Sequence, residues 1–182
     1  MLSSTRDDSP SSSPRLDAFS EKYRQYFPRV FAYIYARVGN VHLTEDLASE
    51  VFERAFTKAD SLRSDAAFST WLFTIARNAI ISHGRKYGRE KIVDPEVMRE
   101  IAPATASVEG DLLRKEELQN VARMVREFPQ REQDIISLKF DAELPNQQIA
   151  EIMGLSEPNV RVIIFRTLRK LREMLSAEQR RI

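Results

Sequence analysis

Two helical patterns separated by a glycine occupy the last third of the chain and restrict its fold more than any other feature. A short helix with one buried face is predicted by apolar residues at helical spacing, namely Ile149, Ile152 and Met153. Gly154 can adopt the left-handed backbone conformation that ends such a helix. Ser156 is a favoured N-cap for a second helix, and Pro158 is tolerated in a first turn, where backbone N–H groups have no helical partner.

The second helix combines an apolar stripe with a basic surface. The stripe consists of Val160, Ile164, Leu168, Leu171 and Leu175. The cations lie mostly off this stripe, at Arg161, Arg166, Arg169, Lys170 and Arg172. A short helix, a glycine turn and a capped basic helix form the pattern of a helix-turn-helix, whose second helix enters the major groove of DNA. An ordinary helical hairpin with a solvated basic face is the alternative interpretation.

The residue composition predicts an all-α fold. The chain of 182 residues can hold one ordinary domain or two small ones, and it contains only five glycines. Runs of β-branched residues are short, whereas the helix-forming residues Ala, Leu, Glu, Arg and Lys are frequent. No cysteine is present and the two histidines are isolated, so we expect no disulfide, no metal site and no cofactor.

Several classes of function are made improbable by what the sequence lacks. The glycines are too scattered to form a phosphate-binding loop, and no nucleophile elbow or Cys–His pair is visible, so we expect no enzymatic activity. No apolar run is long enough to span a bilayer, and Met1–Pro14 lacks the apolar core of a signal peptide. We therefore expect a soluble, cytoplasmic protein.

Changes in composition divide the chain into four segments. Residues 1–15 are rich in Ser and Pro and are expected to form a disordered tail. Residues 16–91 form a first helical domain, and residues 112–182 form a second one that contains the helix-turn-helix. Residues 92–111 break the helical periodicity with prolines and a run of small residues, which predicts a flexible linker.

The first domain is predicted to begin with an aromatic-rich helix followed by a helix with an acidic side. The first helix is expected to start near Leu16 and to be kinked or divided at Pro28, and Gly39 ends it. Thr44 is expected to cap the second helix. Opposite the buried side of this second helix lies a compact acidic surface, made of Asp46, Glu50 and Glu53.

After a polar loop at Asp60–Ala67, aromatic residues lead into a basic helix. Phe68 and Trp71 open this helix, which runs through His83 or beyond. Its polar surface consists of Arg77, Asn78, Ser82, Arg85 and Lys86. Aromatic faces stack on exposed bases while arginines hold phosphates, a combination that suits single-stranded nucleic acid. Burial of the aromatic residues in the core is the alternative interpretation.

The distribution of charge is more informative than the net charge, which is only +1. Basic residues are concentrated at 77–91 and again from Arg161 onward, whereas residues 94–117 lean acidic. Two basic patches joined by an acidic connector indicate two contacts with a polyanion. Two solvated helix faces would give the same pattern.

Three segments, in the same order along the chain, resemble bacterial sigma factors. The segment LTEDLASEVFERAF at 43–56 resembles the helix that binds core RNA polymerase. The segment FSTWLFTIARN at 68–78 resembles the part that opens and reads the −10 promoter element. The segment 128–172 resembles the second domain, which reads the −35 element. Two domains with a linker and nothing more resemble the extracytoplasmic-function subgroup.

This resemblance implies a transcription initiation factor that binds core RNA polymerase and promoter DNA. Asp46, Glu50 and Glu53 would dock on the clamp of the largest polymerase subunit. The −10 contacts would come from Phe68, Trp71, Arg77, Asn78, Ser82, Arg85 and Lys86. The −35 contacts would come from Ser156, Pro158, Asn159, Arg161, Val162, Phe165, Arg166, Arg169 and Lys170.

Val162, Ile163 and Phe165 depart from the family pattern, which is polar and basic at these positions. They would contact thymine methyl groups, pack on the first domain, or bind a partner. An exposed apolar helix is a target for an inhibitory protein, so an anti-sigma factor is a further partner to expect. A stand-alone helix-turn-helix regulator and a membrane-surface protein with a basic amphipathic tail are the competing interpretations.

Overall fold

The computed structural model describes residues 14–58, 67–87 and 118–180. These ranges contain seven helices and no strand, which confirms the predicted all-α fold. In chain order the helices are α1 (Pro14–Val38), α2 (Val41–Lys58), α3 (Phe68–Tyr87), α4 (118–125), α5 (Gln130–Phe140), α6 (Asn146–Met153) and α7 (Glu157–Gln179). The predicted linker at 92–111, nearly all of the predicted tail at 1–15 and most of the predicted loop at 60–67 lie outside the described residues.

α1 is one unbroken helix, so the expected division at Pro28 was wrong. It begins at Pro14, close to the predicted start near Leu16. Pro28 lacks the N–H that would pair with the carbonyl group of Arg24. The helix continues because the turns that follow are held in the core by fully buried side chains, those of Val30, Tyr33 and Ile34.

The turn between α1 and α2 is closed by Gly39 and Asn40. Gly39 has a φ of 67°, a left-handed conformation that glycine adopts without strain, and its N–H donates to the carbonyl oxygen of Tyr35. The Asn40 side-chain oxygen accepts a hydrogen bond of 2.9 Å from the N–H of Leu43. The predicted cap at Thr44 was therefore wrong: Thr44 is fully buried within α2, and its hydroxyl donates to the Asn40 carbonyl oxygen at 2.7 Å.

The helix-turn-helix was predicted correctly. α6 ends at Gly154, whose φ of 65° places it in the left-handed region, and the N–H of Leu155 donates to the carbonyl oxygen of Ala150 at 2.9 Å. Ser156 occupies the N-cap position of α7 with an extended backbone, although its side chain makes no capping hydrogen bond. Pro158 lies in the first turn of α7.

The seven helices form two groups that pack on each other. The first group is α1, α2 and α3, and the second group is α4, α5, α6 and α7. Buried residues of both groups belong to one continuous apolar cluster, for example Tyr33, Phe73, Ile135, Leu138 and Ile149. A smaller cluster joins α4 to α7 through Met124, Phe128 and Leu171. Because the inward faces are filled in this way, the polar and charged side chains of α2, α3 and α7 are left on outward faces.

Candidate nucleic-acid interface

The outward face of α7 has an apolar centre. Val160, Thr167 and Leu171 are buried and define the inward face of the helix. On the opposite face, Val162 is 45% exposed and Phe165 is 67% exposed. Ser156, Pro158 and Asn159 are also exposed at the N-terminal end of the helix, where side chains reach base edges in helix-turn-helix proteins.

Two residues of α7 lie elsewhere than predicted. Leu168, assigned to the buried stripe, is 37% exposed, and Thr167 is buried in its place. The Thr167 hydroxyl donates a hydrogen bond of 3.3 Å to Glu132 of α5, so a polar side chain can be accommodated there. Ile163 is half-buried and packs on the apolar core, which separates it from its exposed neighbours Val162 and Phe165.

The cations of α7 are exposed, and the ion pairs that they form are weak. Arg161 pairs with Glu157 at 2.5 Å and Arg169 pairs with Glu173 at 3.5 Å, each one helical turn away. Exposed pairs of this kind are typically worth less than about 1 kcal/mol, so they do not withhold the guanidinium groups from a phosphate. Arg166 is exposed on the same helix, and the Lys170 ammonium lies 5.2 Å from the centre of the Phe128 ring.

α2 carries the predicted acidic surface. Asp46 and Glu53 are exposed, and Glu50 is half-buried and paired with Arg54 on the next turn. Their spacing of four and three residues places the three carboxylates on one side of the helix. The opposite side is buried and contains Leu47, Ala48, Val51, Phe52 and Ala55. The core of the first group therefore fixes the direction in which the acidic surface points.

The aromatic residues at the start of α3 belong mainly to the core. Phe68 is only 2% exposed, and its ring lies 5.3 Å from that of Tyr26 and 6.0 Å from that of Trp71. Phe68, predicted to contact DNA, is buried in this arrangement because the first turn of α3 is packed against α1. Trp71 is half-buried against the same cluster. The polar residues Asn78, Ser82, Arg85 and Lys86 are exposed along the rest of α3.

Arg77 of α3 takes part in a buried ionic cluster that joins the two groups. The Asp134 carboxylate, on α5, is 4% exposed. It lies 2.9 Å from Nε of Arg37 and 3.4 Å from Nε of Arg77. Two arginines of the first group thus share one carboxylate of the second group. While this cluster persists, the Arg77 side chain is directed at Asp134 and is not available to DNA.

Burial changes the acidity of two groups beside this cluster. The Tyr33 hydroxyl is fully buried without a hydrogen-bond partner, and burial, reinforced by the Asp134 charge, raises the pKa of Tyr33 above its ordinary value. Burial also raises the pKa of Asp141 from 3.8 to about 6, although a hydrogen bond from Ser137 and the charge of Arg37 act in the opposite direction. Neither Asp134 nor Asp141 was singled out as a functional residue from the sequence.

Further polar contacts join the two groups on either side of the ionic cluster. The Arg29 guanidinium of α1 donates to the carbonyl oxygens of Ala142 and Glu143, in the turn between α5 and α6, with an Nε–O distance of 2.8 Å to Ala142. The Ser69 hydroxyl of α3 donates to the Gln148 side chain of α6 at 2.9 Å. The first helix of the helix-turn-helix therefore rests on the N-terminal turn of α3. The sequence does contain one signal that could have revealed this interface, the charged Asp134 among the apolar residues Ile135, Ile136 and Leu138.

A helix-turn-helix with an exposed cationic helix, packed on a helical group with an acidic outward face, is typical of a DNA-binding protein. Comparison with known proteins narrows this class to one family. Residues 23–90 match the family model Sigma-70 region 2, and residues 126–173 match Sigma-70, region 4.

Relatives of known identity agree with these matches. The ECF RNA polymerase sigma factor SigW of Bacillus subtilis is 32% identical over 167 residues, which cover 87% of this chain and 89% of that protein. The ECF RNA polymerase sigma factor BldN of Streptomyces coelicolor is also 32% identical over 167 residues, but this chain spans only 62% of its length. A solved sigma factor RpoE from Bartonella quintana has the same fold, with a TM-score of 0.69, 23% identity and coverage of 88% of this chain and 98% of that one.

The chain belongs to the extracytoplasmic-function family of bacterial RNA polymerase sigma factors. As a sigma factor it binds core RNA polymerase and promoter DNA and directs transcription initiation. A stand-alone helix-turn-helix regulator is not favoured, because the region 2 match accounts for the first group of helices. Among the residues that the structure describes, no helix is both long and apolar enough to cross a membrane.

Proposed function

We propose that three outward faces divide the work of this sigma factor. The acidic face of α2, formed by Asp46, Glu50 and Glu53, docks on the clamp of the largest polymerase subunit. α3 captures opened −10 DNA, and α7 reads the −35 duplex. The observation that carries this proposal is the opposite charge of two exposed faces, acidic on α2 and cationic on α7. The acidic face of α2 suits a basic surface on the polymerase, and the cationic face of α7 suits the phosphates of DNA.

On α3, Asn78 is the residue best placed to meet a flipped −10 base, because its amide group is exposed and can donate and accept hydrogen bonds. Arg85 and Lys86 follow two turns later and supply positive charge for the phosphates. Arg77 joins them only when it is released from Asp134, and Phe68 and Trp71 become available only when the first turn of α3 moves. Capture of −10 DNA with Arg77 included therefore requires that the second group leave α3.

The chain acts as two domains in this scheme. Residues 16–91 contain the polymerase-binding and −10 surfaces, residues 112–182 contain the −35 surface, and the linker 92–111 lets them separate. The packed arrangement is then the free form, and the separated arrangement is the form bound to polymerase and promoter. No catalytic step is assigned to the chain, and the protein acts where polymerase acts, in the cytoplasm.

An anti-sigma factor is a further partner in this proposal. RpoE of Bartonella quintana was solved in complex with the anti-sigma factor NepR, and a second structure with the same fold is CnrH in complex with the cytosolic domain of CnrY, with a TM-score of 0.67 and 20% identity over 88% of this chain and 89% of that one. A partner of the same kind would act here by stabilising the packed arrangement of the two groups.

The proposal is tested by transcription in vitro with purified core polymerase, with and without the protein, on a pool of genomic templates. Specific transcripts are expected only when the protein is added. The double variant Asp46→Lys/Glu53→Lys should bind core polymerase at least tenfold more weakly, because it reverses two charges of the docking face. Glu45→Lys, a charge reversal on the same helix outside this face, should bind normally. Absence of promoter-dependent transcripts would overturn the proposal.

A further inference from the structure

Val162 and Phe165 lie at the centre of the outward face of α7, one turn apart. Helical spacing aligns them with Pro158 before and Arg169 after them, opposite the buried Val160. Within the described part of the chain, both side chains are much more exposed than their neighbours on the inward face of α7. An exposed valine and an exposed phenylalanine side by side on a cationic helix mark a surface that can contact apolar groups of a ligand.

Cations border this apolar strip on both sides. Arg161 and Arg172 follow one edge, and Arg166 and Lys170 follow the other, as their helical positions require. An apolar strip between two rows of cations matches a groove whose walls are phosphates and whose floor carries apolar groups. The major groove of DNA has this form, and the apolar group that it presents is the 5-methyl group of thymine.

A protein surface is a poorer match for the same strip. Packing a protein on Val162 and Phe165 would bring the flanking guanidinium groups into the rim of the interface, where they would need carboxylate partners in place of phosphates. Their present partners, Glu157 and Glu173, are exposed and weakly paired, so the face carries an excess of positive charge. DNA supplies the neutralising charge along both edges at once.

We propose that Val162 and Phe165 determine part of the promoter specificity by packing on thymine methyl groups in the −35 duplex. The inference rests on the proposed function, because it takes α7 as the helix that enters that duplex. The flanking cations hold the phosphate backbones and fix the position of the helix, and they carry little sequence information. Replacement of one T·A pair by another base pair removes the methyl contact without removing these phosphate contacts.

Uracil substitution isolates the methyl group, because uracil pairs as thymine does and lacks only that group. Full-length protein assembled with core polymerase selects bound duplexes from a pool randomised in the −35 element. Each thymine of the selected sequence is then replaced singly by uracil, and affinity is measured at fixed salt. At one or two positions uracil should weaken binding about fourfold, the ratio expected for loss of one buried methyl-sized group.

Protein variants then test whether Val162 and Phe165 cause the preference for thymine over uracil. Phe165→Ala or Val162→Ala should bind the thymine duplex more weakly and lose the preference for thymine over uracil. Arg166→Ala should weaken both duplexes equally, because it removes a phosphate contact. Phe140→Ala, which truncates a phenylalanine that is 53% exposed on α5, is the matched control and should keep both the affinity and the thymine preference.

The outcomes separate this inference from the proposed function. If the selection returns no preferred −35 sequence, the proposed function of α7 fails. If a preferred sequence is found but uracil is tolerated at every position, the methyl contact is overturned and the proposed function stands. A Val162→Ala/Phe165→Ala variant that binds DNA normally but loses an inhibitory protein would likewise overturn the inference. Both side chains are exposed, so circular dichroism and the melting temperature should show that the variants fold normally.

Discussion

Asp134 is the residue on which the packing of the two groups depends most. Its carboxylate is almost completely buried and is the shared partner of Arg37 and Arg77. A buried charge is tolerated only when it is paired, because removal from water costs several kcal/mol for each ion. Three ionised side chains at one interface are therefore stable together and unstable if one of them is lost.

Asp134→Asn should consequently lower the free energy of unfolding by about 3 kcal/mol, because it leaves two arginines without a countercharge at the interface. Glu157→Gln, which breaks the exposed pair with Arg161, is the matched comparison and should cost less than about 1 kcal/mol. Urea denaturation followed by circular dichroism measures both values. Equal, small losses for the two variants would show that the Asp134 cluster contributes no more than a surface ion pair.

Asp141 gives a prediction about pH. Burial raises the pKa of this carboxyl group in the folded protein to about 6, from 3.8, so the folded form binds the proton more tightly than the unfolded chain. The stabilisation from the protonated group is complete below about pH 4 and is lost as the pH rises through 6. Asp141→Asn, which cannot ionise, should therefore be more stable than the unmodified protein at pH 7, by on the order of 2 kcal/mol.

This difference should shrink as the pH is lowered from 7 to 4, which denaturation at a series of pH values would show. Asp46→Asn, a neutralisation on the exposed face of α2, serves as the control and should show no comparable gain at pH 7. A gain from Asp141→Asn that is independent of pH would mean that the effect comes from packing and not from ionisation.

At the scale of single elements, the turn between α6 and α7 is the most strictly determined. Gly154 has a left-handed backbone, and a methyl group added there would meet no atom within 4 Å. The cost of Gly154→Ala is therefore conformational alone and should be about 1–2 kcal/mol. Gly84 lies inside α3 with equally open surroundings, so Gly84→Ala should stabilise the protein by up to about 1 kcal/mol. In thermal unfolding, Gly154→Ala should therefore lower the melting temperature and Gly84→Ala should raise it. Destabilisation by both substitutions would contradict this prediction.

The same turn shows what the sequence can reveal about elements. Gly154 and Pro158 act through local backbone geometry, so their neighbours in sequence were sufficient to locate the end of α6 and the start of α7. The start of α2 was misplaced by four residues because Asn40 and Thr44 are both good caps, and the choice between them depends on the burial of Thr44. Pro28 and Leu168 were misjudged for the same reason, since packing against other helices overrides a local preference.

At the scale of the whole molecule, the sequence predicted the surfaces and did not predict their arrangement. The acidic side of α2 and the basic helix α7 follow from periodicity within one helix. The pairing of Arg37 and Arg77 with Asp134 joins residues far apart in the chain, and no local pattern specifies it. Arg77 was assigned to DNA because its pairing with Asp134 depends on this packing between the two groups, and Phe68 because its burial depends on the packing of α3 against α1.

The packed arrangement predicts a change of distance when polymerase binds. The chain has no cysteine, so Arg24→Cys and Glu151→Cys, both at exposed positions of α1 and α6, provide unique sites for a pair of fluorophores. The free protein should give one population with high energy transfer, and addition of core polymerase should replace it with low transfer. Arg29→Ala, which removes the hydrogen bonds to Ala142 and Glu143, should broaden the free population toward low transfer. Identical transfer with and without polymerase would exclude separation of the two groups.

The shared carboxylate of Asp134 also has a genetic consequence. Under the proposed mechanism, a substitution that weakens its hold on Arg77 makes the separated form more abundant and so raises the apparent affinity for −10 DNA. Selection for higher promoter output in living cells should therefore return substitutions at Asp134 and Arg37, positions to which the proposed function assigns no DNA contact. Such gain-of-function variants would accumulate to lower levels, because the same substitutions destabilise the protein, and their phenotype would weaken with rising temperature.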